Sequence, residues 1–149
     1  MTQQRDFFLM PGDRVEFSKT VGESDVYLFA GITGDLSPNH VNEQFMSRTK
    51  YKRRIAHGAL LVGYMSAAST RMLEKTAVPD AKESPVTIGY DHIRYLGAVF
   101  IGDTITVRYE VKEIDKQRRR SLAAISIINQ DGKEVAVAQH TMKWLPNEG

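Results

Sequence analysis

Residues 58–74 read GALLVGYMSAASTRMLE, and this segment sets the architecture of the chain. Its large apolar side chains fall all round a helical wheel, so we expect one long helix that is buried on most sides. Small residues recur at four-residue steps, at Ala59, Gly63 and Ala67, and leave room for another backbone to approach. The segment therefore predicts a thin apolar helix wrapped by a curved sheet.

The sequence after this helix predicts an antiparallel run of strands. Apolar and polar residues alternate over residues 104–111, which is typical of a strand with one buried face. Further strands are expected over residues 15–17, 86–95, 122–128 and 135–145. Asp131-Gly132 is a strong hairpin signal between the last two strands. One sheet packed on one helix is an α+β layout.

A shorter helix is expected ahead of the long one. Thr20 and Glu23 have the spacing of a capping box, and Ser24 is a second possible cap. Gly34 permits a helix C-terminus and Pro38 cannot continue a helix, so we expect this helix to end between them.

Composition restricts the class of protein. The 149 residues, 42% of them hydrophobic, suffice for a single domain over residues 1–149. The absence of cysteine excludes a disulfide framework, a thiolate zinc site and a cysteine nucleophile. The formal charge of +2 is too small for a protein that binds polyanions with its whole surface. The sequence shows no apolar leader at its start, and the apolar stretch 58–68 is too short to span a bilayer. We therefore expect a cytoplasmic protein with no membrane or nucleic-acid partner.

The same layout predicts self-association. A single sheet wrapped round one helix leaves an edge strand and an outer face exposed in a monomer. Because closed symmetric pairs are the commonest way to cover such surfaces, we expect a homodimer or a dimer of dimers.

The segment Thr33-Gly-Asp-Leu-Ser-Pro-Asn-His40 carries the first candidate catalytic groups. Gly34 and Pro38 fix a bend that could direct Asp35 and His40 into one space. A carboxylate and an imidazole that share a water molecule form a plausible acid–base pair. The alternative is that Asp35 closes a turn and His40 is a polar surface residue.

A metal site is the third interpretation of His40. Such a site would need further ligands, and none of His57, His92 and His140 has the helical i,i+4 spacing from His40. No motif for a metal or a redox cofactor is visible, so we expect the protein to work without either.

The segment Ile55-Ala-His-Gly58 leads directly into the long helix. A helix N-terminus offers unpaired backbone N–H groups and partial positive charge. These could bind a thioester oxygen as it becomes an enolate, and Gly58 would let a substrate approach the backbone closely. The alternative is that Gly58 only permits tight packing.

Taken together, Gly34-Asp-Leu-Ser-Pro-Asn-His40 and Ile55-Ala-His-Gly58 resemble the paired motifs of the MaoC-like dehydratases, which include the (R)-specific enoyl-CoA hydratases. The stretch GAVFIGDTI at 97–105 is similar to a third element of that family, and the resemblance extends over residues 15–146. Ser37 stands where the family usually has Asn, a difference that bears on active-site geometry and substrate choice.

The resemblance implies a hot-dog fold, in which a curved antiparallel sheet wraps one long central helix. It implies that Asp35 and His40 hold the catalytic water, that the Gly58 N–H binds the thioester oxygen, and that Ser66 supports Asp35 by hydrogen bonding. The implied reaction is reversible syn addition of water to a 2-enoyl thioester, giving an (R)-3-hydroxyacyl thioester without a cofactor.

The resemblance leaves the acyl carrier open between coenzyme A and acyl carrier protein, which both present a phosphopantetheine arm. Basic residues cluster over 48–54, where Arg53 and Arg54 are candidates for binding the phosphates of coenzyme A or the acidic face of a carrier protein. His57 and Tyr64 are further candidates for substrate contact. Alternatives on the same fold are a 3-hydroxyacyl-acyl-carrier-protein dehydratase, an acyl-CoA thioesterase and a non-catalytic binding protein. The last includes a nucleic-acid binder that uses the basic hairpin at 116–120.

Overall fold

The computed structural model describes residues 6–148, which form one five-stranded sheet and one long helix with three shorter ones. The strands are β1 (Arg14–Thr20), β2 (Glu83–Tyr95), β3 (Thr104–Asp115), β4 (Arg120–Ile128) and β5 (Glu134–Pro146). The helices are α1 (Glu23–Thr33), α2 (Pro38–Val41), α3 (Glu43–Met46) and α4 (Gly58–Lys75). The α+β layout expected from the sequence is confirmed.

The sheet is antiparallel throughout, with the strand order β1-β3-β4-β5-β2. The consecutive strands β3, β4 and β5 are neighbours, and Gly132 takes a φ of 74° in the predicted turn between β4 and β5. Strand β2 precedes β3 in the chain but lies at the far side of the sheet, beside β5. Within the described residues, β1 and β2 are therefore the two edges.

Helix α4 packs on one face of this sheet, and its predicted position is confirmed. The side chains that face the sheet are buried, namely Leu61, Tyr64, Met65, Ala68, Ser69 and Met72. The opposite face is exposed and consists of Ala59, Gly63, Ser66 and Thr70. The expectation of burial on most sides is wrong for the described chain, because the sheet covers only one side of the helix. A Cβ built on Gly63 would meet no atom within 4 Å.

The start of α1 also differs from the prediction. Its N-cap is Gly22, whose N–H donates to the Asp25 carboxylate at 2.8 Å. The capping box predicted at Thr20 and Glu23 is wrong, because Thr20 still belongs to β1. There its hydroxyl is hydrogen-bonded to that of Thr104 at 2.7 Å.

The core lies between α4 and the inner face of the sheet. Along β4 every second residue is buried, and along β3 the inward side chains from Ile105 to Val111 are almost fully excluded from solvent. Burying one large apolar side chain stabilises the fold by roughly 1.5–3 kcal/mol, so these rows fix which sheet face meets the helix. Of the helices within residues 6–148, none combines the length and apolar character needed to cross a bilayer.

The imidazole of His140, on β5, lies within this largely apolar core. It is fully buried, and hydrogen bonds link its Nδ1 to the Tyr109 hydroxyl at 2.8 Å and its Nε2 to the Thr87 hydroxyl at 3.0 Å. The ring of Tyr90 stacks on it at 4.5 Å between centroids. Burial lowers the pKa of His140 from 6.5 to about 4, because the charged imidazolium loses its hydration there.

Candidate active site

Asp35, His40 and His57 converge near the N-terminal end of α4. Asp35 lies in the loop between α1 and α2, His40 lies in α2, and His57 directly precedes α4. A carboxylate oxygen of Asp35 and one ring nitrogen of each histidine all lie within 4.8 Å of one another. Because hydrogen-bonded heavy atoms are about 2.8 Å apart, a single water could bridge the carboxylate and an imidazole. The structure thus brings together the two groups that the sequence singled out.

The loop before α2 fixes the position of Asp35. Gly34 ends α1 in the left-handed conformation, with a φ of 78°, and Pro38 begins α2. The Asp35 carboxylate accepts a hydrogen bond from the backbone N–H of Ser37 at 3.3 Å, and the Asp35 N–H donates to the Thr33 hydroxyl at 3.2 Å. The bend therefore forms with Ser37 in place of Asn, through the Ser37 backbone rather than its side chain.

His40 is oriented by the segment that leads into α4. Its Nδ1 lies 2.7 Å from the carbonyl oxygen of Ile55, and since a carbonyl can only accept, Nδ1 carries the proton. Nε2 of the neutral ring is then an unprotonated acceptor. The Ile55 N–H in turn donates to the carbonyl of Asn39 at 3.0 Å, which holds α2 against the same segment.

His57 contacts both the Asp35 loop and the His40 ring. Its ring lies between Phe29, at 4.7 Å, and His40, at 3.8 Å with 28° between the ring planes. Its Nε2 donates to the backbone carbonyl of Asp35 at 3.0 Å, while Nδ1 is buried without a hydrogen-bond partner among the described residues. Because His57 is only 1% exposed, the predicted direct contact with substrate does not fit this position. His57 instead ties the Asp35 loop to the start of α4.

Gly58 begins α4 in close contact with Tyr95 at the end of β2. A Cβ on Gly58 would lie 2.6 Å from Cζ of the Tyr95 ring, so any larger residue would require this half-exposed ring to shift. As the first residue of an 18-residue helix, Gly58 has an N–H free of intrahelical bonding at the positive end of the helix dipole. Gly58 therefore does permit tight packing, as the alternative interpretation of this glycine expected. Its N–H nevertheless remains available to an anionic oxygen.

A cavity of about 260 Å³ opens beside His40 and Gly58. Its remaining walls are uncharged and come mainly from residues 55–56 and 95–99. His40 lines this cavity, whereas Asp35 is not among its lining residues.

Backbone contacts hold this wall against the segment before α4. The Ala56 N–H donates to the Val99 carbonyl at 2.7 Å, and Ile55 forms an isolated antiparallel bridge with Phe100. The segment 97–105 therefore shapes the site through its backbone, alongside the two motifs at 34–40 and 55–58.

Arg54 does not fit its predicted role in substrate binding. Its side chain is only 11% exposed and forms ion pairs with Glu23 at the start of α1 and with Glu43 at the start of α3, the latter at 3.0 Å. It also donates to the Tyr27 hydroxyl at 3.0 Å. The guanidinium thus joins α1 and α3 to the segment before α4, and the Glu23 carboxylate raises the pKa of Arg54 further.

The other basic residues divide into free and neutralised groups. Arg53 has no acidic partner among the described residues, and its guanidinium lies 4.0 Å from the ring centroid of Phe100. Most charges of the basic hairpin at 116–120 are neutralised by ion pairs, namely Lys116–Asp6, Arg118–Asp115 and Arg119–Glu83. This pairing weakens the case for a nucleic-acid surface on that hairpin.

Two predicted site residues lie away from the Asp35–His40 pair. Ser66 lies on the exposed face of α4 beside the Tyr90 hydroxyl, and the described residues show no hydrogen bond between Ser66 and Asp35. Tyr64 is buried beneath α1, where burial and then the charge of Asp25 raise the pKa of its hydroxyl. Tyr64 is therefore a core residue and does not line the cavity.

Asp35, His40 and His57 offer donor atoms within 4.8 Å of one another that could hold a bound water or a metal ion. The carboxylate and His40 Nε2 could each accept one O–H of the same water, which would leave a lone pair on its oxygen for attack. For a metal ion, His57 would have to supply Nδ1, because its Nε2 is already hydrogen-bonded to the Asp35 carbonyl. The other histidines lie elsewhere: His140 in the core, and His92 in the wall of a separate cavity.

Sequence reasoning missed two contacts that shape the site. The Ile55 carbonyl orients His40, but backbone acceptors leave no signal in a side-chain pattern. The second contact comes from Tyr95 at the C-terminal end of β2. Its contact with Gly58 depends on the placement of β2 beside β5, which local patterns do not specify.

Comparisons of sequence and of structure find the same family of proteins. Residues 7–131 match the family described as "MaoC like domain". An (R)-specific enoyl-CoA hydratase of Rhodospirillum rubrum is 34% identical over 108 residues, which are 72% of this chain and 69% of that protein. A 3-hydroxybutyryl-CoA dehydratase of Methylorubrum extorquens is 37% identical over 107 residues, 71% of this chain and 62% of that protein. The solved (R)-hydratase of Aeromonas caviae has a TM-score of 0.77 at 25% identity, covering 91% of this chain and 96% of that chain. The predicted hot-dog fold is confirmed by this structural similarity.

Proposed function

Because the chain belongs to the MaoC-like dehydratases, a family of hydro-lyases, we propose that it adds water reversibly to a 2-enoyl-CoA to give an (R)-3-hydroxyacyl-CoA. The observation that carries the proposal is the approach of the Asp35 carboxylate and the His40 imidazole to within 4.8 Å, next to the free amide of Gly58. A water between the first two groups would face a thioester oxygen on the third.

The first step is attack of the bound water on C3 of the enoyl group. Asp35 and His40 Nε2 each accept one of its O–H hydrogens, so the oxygen lone pair is directed at C3. One of the two groups takes the proton as the C–O bond forms. General acid–base help of this kind contributes roughly 100- to 10,000-fold in rate.

The second requirement is a place for the negative charge. As the C–O bond forms, electrons move from the C2–C3 double bond onto the thioester oxygen. The Gly58 N–H and the positive end of the α4 dipole stabilise that enolate. Removal of one such donor typically costs roughly 2.7–4 kcal/mol of transition-state stabilisation.

The last step returns a proton to C2. The enolate collapses to the thioester and takes a proton from the Asp35–His40 pair on the face that received the water, which makes the addition syn. The pair ends in its original protonation state, and the sum of the steps is addition of one water. The residues need neither a metal nor a redox cofactor for this cycle.

We further propose that the working form is a homodimer, alone or as a dimer of dimers. Strand β2 is an unpaired edge in the described chain, and its side chains Val86 and Ile88 are 41% and 46% exposed. On α1, Leu28 and Ile32 are 66% and 81% exposed. A second copy would cover these apolar surfaces, and sedimentation at several protein concentrations would measure it.

The test of the reaction is incubation with crotonyl-CoA. The proposal expects loss of enoyl absorbance, no release of free thiol, and 3-hydroxybutyryl-CoA of the R configuration only. Thiol release would instead indicate a thioesterase, and binding without turnover would indicate a non-catalytic protein. A preference for crotonyl-acyl carrier protein would indicate the carrier-protein dehydratase.

A further inference from the structure

We infer that the phosphates of the proposed enoyl-CoA substrate bind in a basic groove built by Lys50, Arg53 and Lys133. This inference rests on the proposed function, because it locates where the carrier of the same enoyl group binds. The groove has a volume of about 550 Å³ and is a separate depression from the catalytic cavity beside His40.

The groove and the catalytic cavity are joined by a shared wall. Tyr51, Leu96, Gly97 and Ala98 line both of them. An extended ligand would therefore pass from the Asp35–His40 pair along an uncharged strip and reach the cations at the far end. That order matches an acyl thioester, an uncharged pantetheine arm and a phosphorylated nucleotide.

The three cations come from two separate segments that line the groove, and they are free to bind an anion. Lys50 and Arg53 belong to the loop between α3 and α4, whereas Lys133 belongs to the turn between β4 and β5. None of them forms an ion pair with a described acidic residue, in contrast to Arg54. Charges that converge from two sides fit a phosphate inserted between them.

The turn holds Lys133 in place for this role. The side-chain oxygen of Asn129 accepts hydrogen bonds from the N–H groups of Asp131 and Lys133, each at 3.0 Å. The Lys133 ammonium lies 3.8 Å from the position that a Cβ on Gly97 would occupy. Lys133 therefore reaches back to the wall shared with the catalytic cavity.

Two carboxylates also line the groove, and they do not cancel its charge. Asp103 is buried and already accepts hydrogen bonds from the Phe100 N–H at 2.9 Å and from Gln130 at 3.0 Å. Asp131 is exposed at the tip of the turn. Three cations against two carboxylates, one of them committed to its own donors, leave the groove positive.

The concave shape favours coenzyme A over a carrier protein. The acidic face of a protein would bind a convex or flat basic surface, whereas Arg53 lies folded against Phe100 inside the groove. A nucleotide is narrow enough to enter between the two walls. A carrier protein remains an outcome that the experiment can reveal.

The experiment compares crotonyl-CoA with crotonyl-pantetheine, which lacks the phosphates, in the wild-type protein and the Lys133→Glu variant. We expect Lys133→Glu to lower the ratio of kcat/KM for crotonyl-CoA to that for crotonyl-pantetheine by at least about tenfold, mainly through KM, because the charge reversal removes a phosphate contact and adds repulsion. Lys82→Glu reverses an exposed lysine outside the groove and should leave that ratio unchanged. Arg53→Glu should act like Lys133→Glu.

Titration calorimetry with free coenzyme A separates failure of the groove from failure of the proposed reaction. A wild-type protein that hydrates neither substrate but binds coenzyme A in a Lys133-dependent way would keep the groove and overturn the reaction. An unchanged ratio in Lys133→Glu, with normal hydration of crotonyl-CoA, would overturn the groove and keep the reaction. A wild-type preference for crotonyl-acyl carrier protein that Lys133→Glu abolishes would overturn coenzyme A as the carrier.

Discussion

The ring of Tyr95 lies against the α-carbon of Gly58, so closely that a Cβ there would come within 2.6 Å of Cζ. We expect Gly58→Ala to displace the ring or the helix start and, because the Gly58 N–H then moves relative to the thioester oxygen, to lower kcat/KM for crotonyl-CoA by at least about tenfold. Gly63→Ala is the matched control on the same helix, since its Cβ would meet no atom within 4 Å. That control should stabilise the protein by about 0.5–1 kcal/mol.

Steady-state kinetics and urea unfolding of the two glycine variants give the readout. The double variant Gly58→Ala/Tyr95→Ala should recover part of the lost activity if the cause is steric. Equal activity of Gly58→Ala and Gly63→Ala would show that the Tyr95 contact does not matter for the site.

The hydrogen bond from His40 Nδ1 to the Ile55 carbonyl, at 2.7 Å, predicts the tautomer of the neutral ring. We expect nitrogen-15 NMR of the free enzyme to report a protonated Nδ1 and an unprotonated Nε2 for His40. A ring protonated on Nε2 would remove the acceptor that the bound water needs, and would contradict the assignment of His40 as a proton acceptor.

Sequence patterns predicted those elements whose conformation depends on residues close together in the chain. The run of apolar and small residues over 58–74 predicted α4, and Gly34 and Pro38 predicted the bend that presents Asp35 and His40. The α1 cap was mispredicted because β1 continues through Thr20, and that length is set by pairing with β3 rather than by the capping-box spacing.

Contacts between segments that are distant in the chain could not be predicted from the sequence. Arg53 and Arg54 are neighbours of the same type, yet Arg54 is paired with Glu23 and Glu43 while Arg53 packs on Phe100. Their difference arises only after α1, α3 and the strands have assembled. Lys133 lies in a turn far along the chain, so nothing in its neighbourhood linked it to the catalytic motifs.

Arg54 should contribute to stability rather than to substrate affinity. We expect Arg54→Met to lower the free energy of unfolding by about 1–2 kcal/mol, because it leaves Glu23 and Glu43 without a shared cation while both remain partly hydrated. Urea denaturation measures this. Arg48→Met, at an exposed site in the same segment, should change it by less than about 0.5 kcal/mol. Equal effects of the two substitutions would rule out the proposed bracing role of Arg54.

His140 should make the protein less stable in mild acid. Its pKa is about 4 in the folded state and 6.5 in the unfolded state, so only the unfolded chain takes up a proton as the pH falls between these values. Stability attributable to this group is complete above about pH 6.5 and declines toward about pH 4, with a loss of about 2 kcal/mol at about pH 5.

Urea unfolding of the wild type and His140→Gln at neutral and mildly acidic pH tests this linkage. The variant keeps hydrogen-bonding groups for Tyr109 and Thr87 but does not titrate, so its stability should depend less on pH in that window. Parallel pH dependence in both proteins would show that His140 is not the group responsible.

The account depends most on Asp35 and His40 acting on one water molecule. The direct test is the rate of crotonyl-CoA hydration by Asp35→Asn and His40→Gln, with Asp91→Asn as a control at an exposed carboxylate of β2. We predict that each catalytic variant remains folded and loses at least about a hundredfold in kcat, whereas the control keeps its activity. Near-normal turnover by folded Asp35→Asn or His40→Gln would contradict the mechanism.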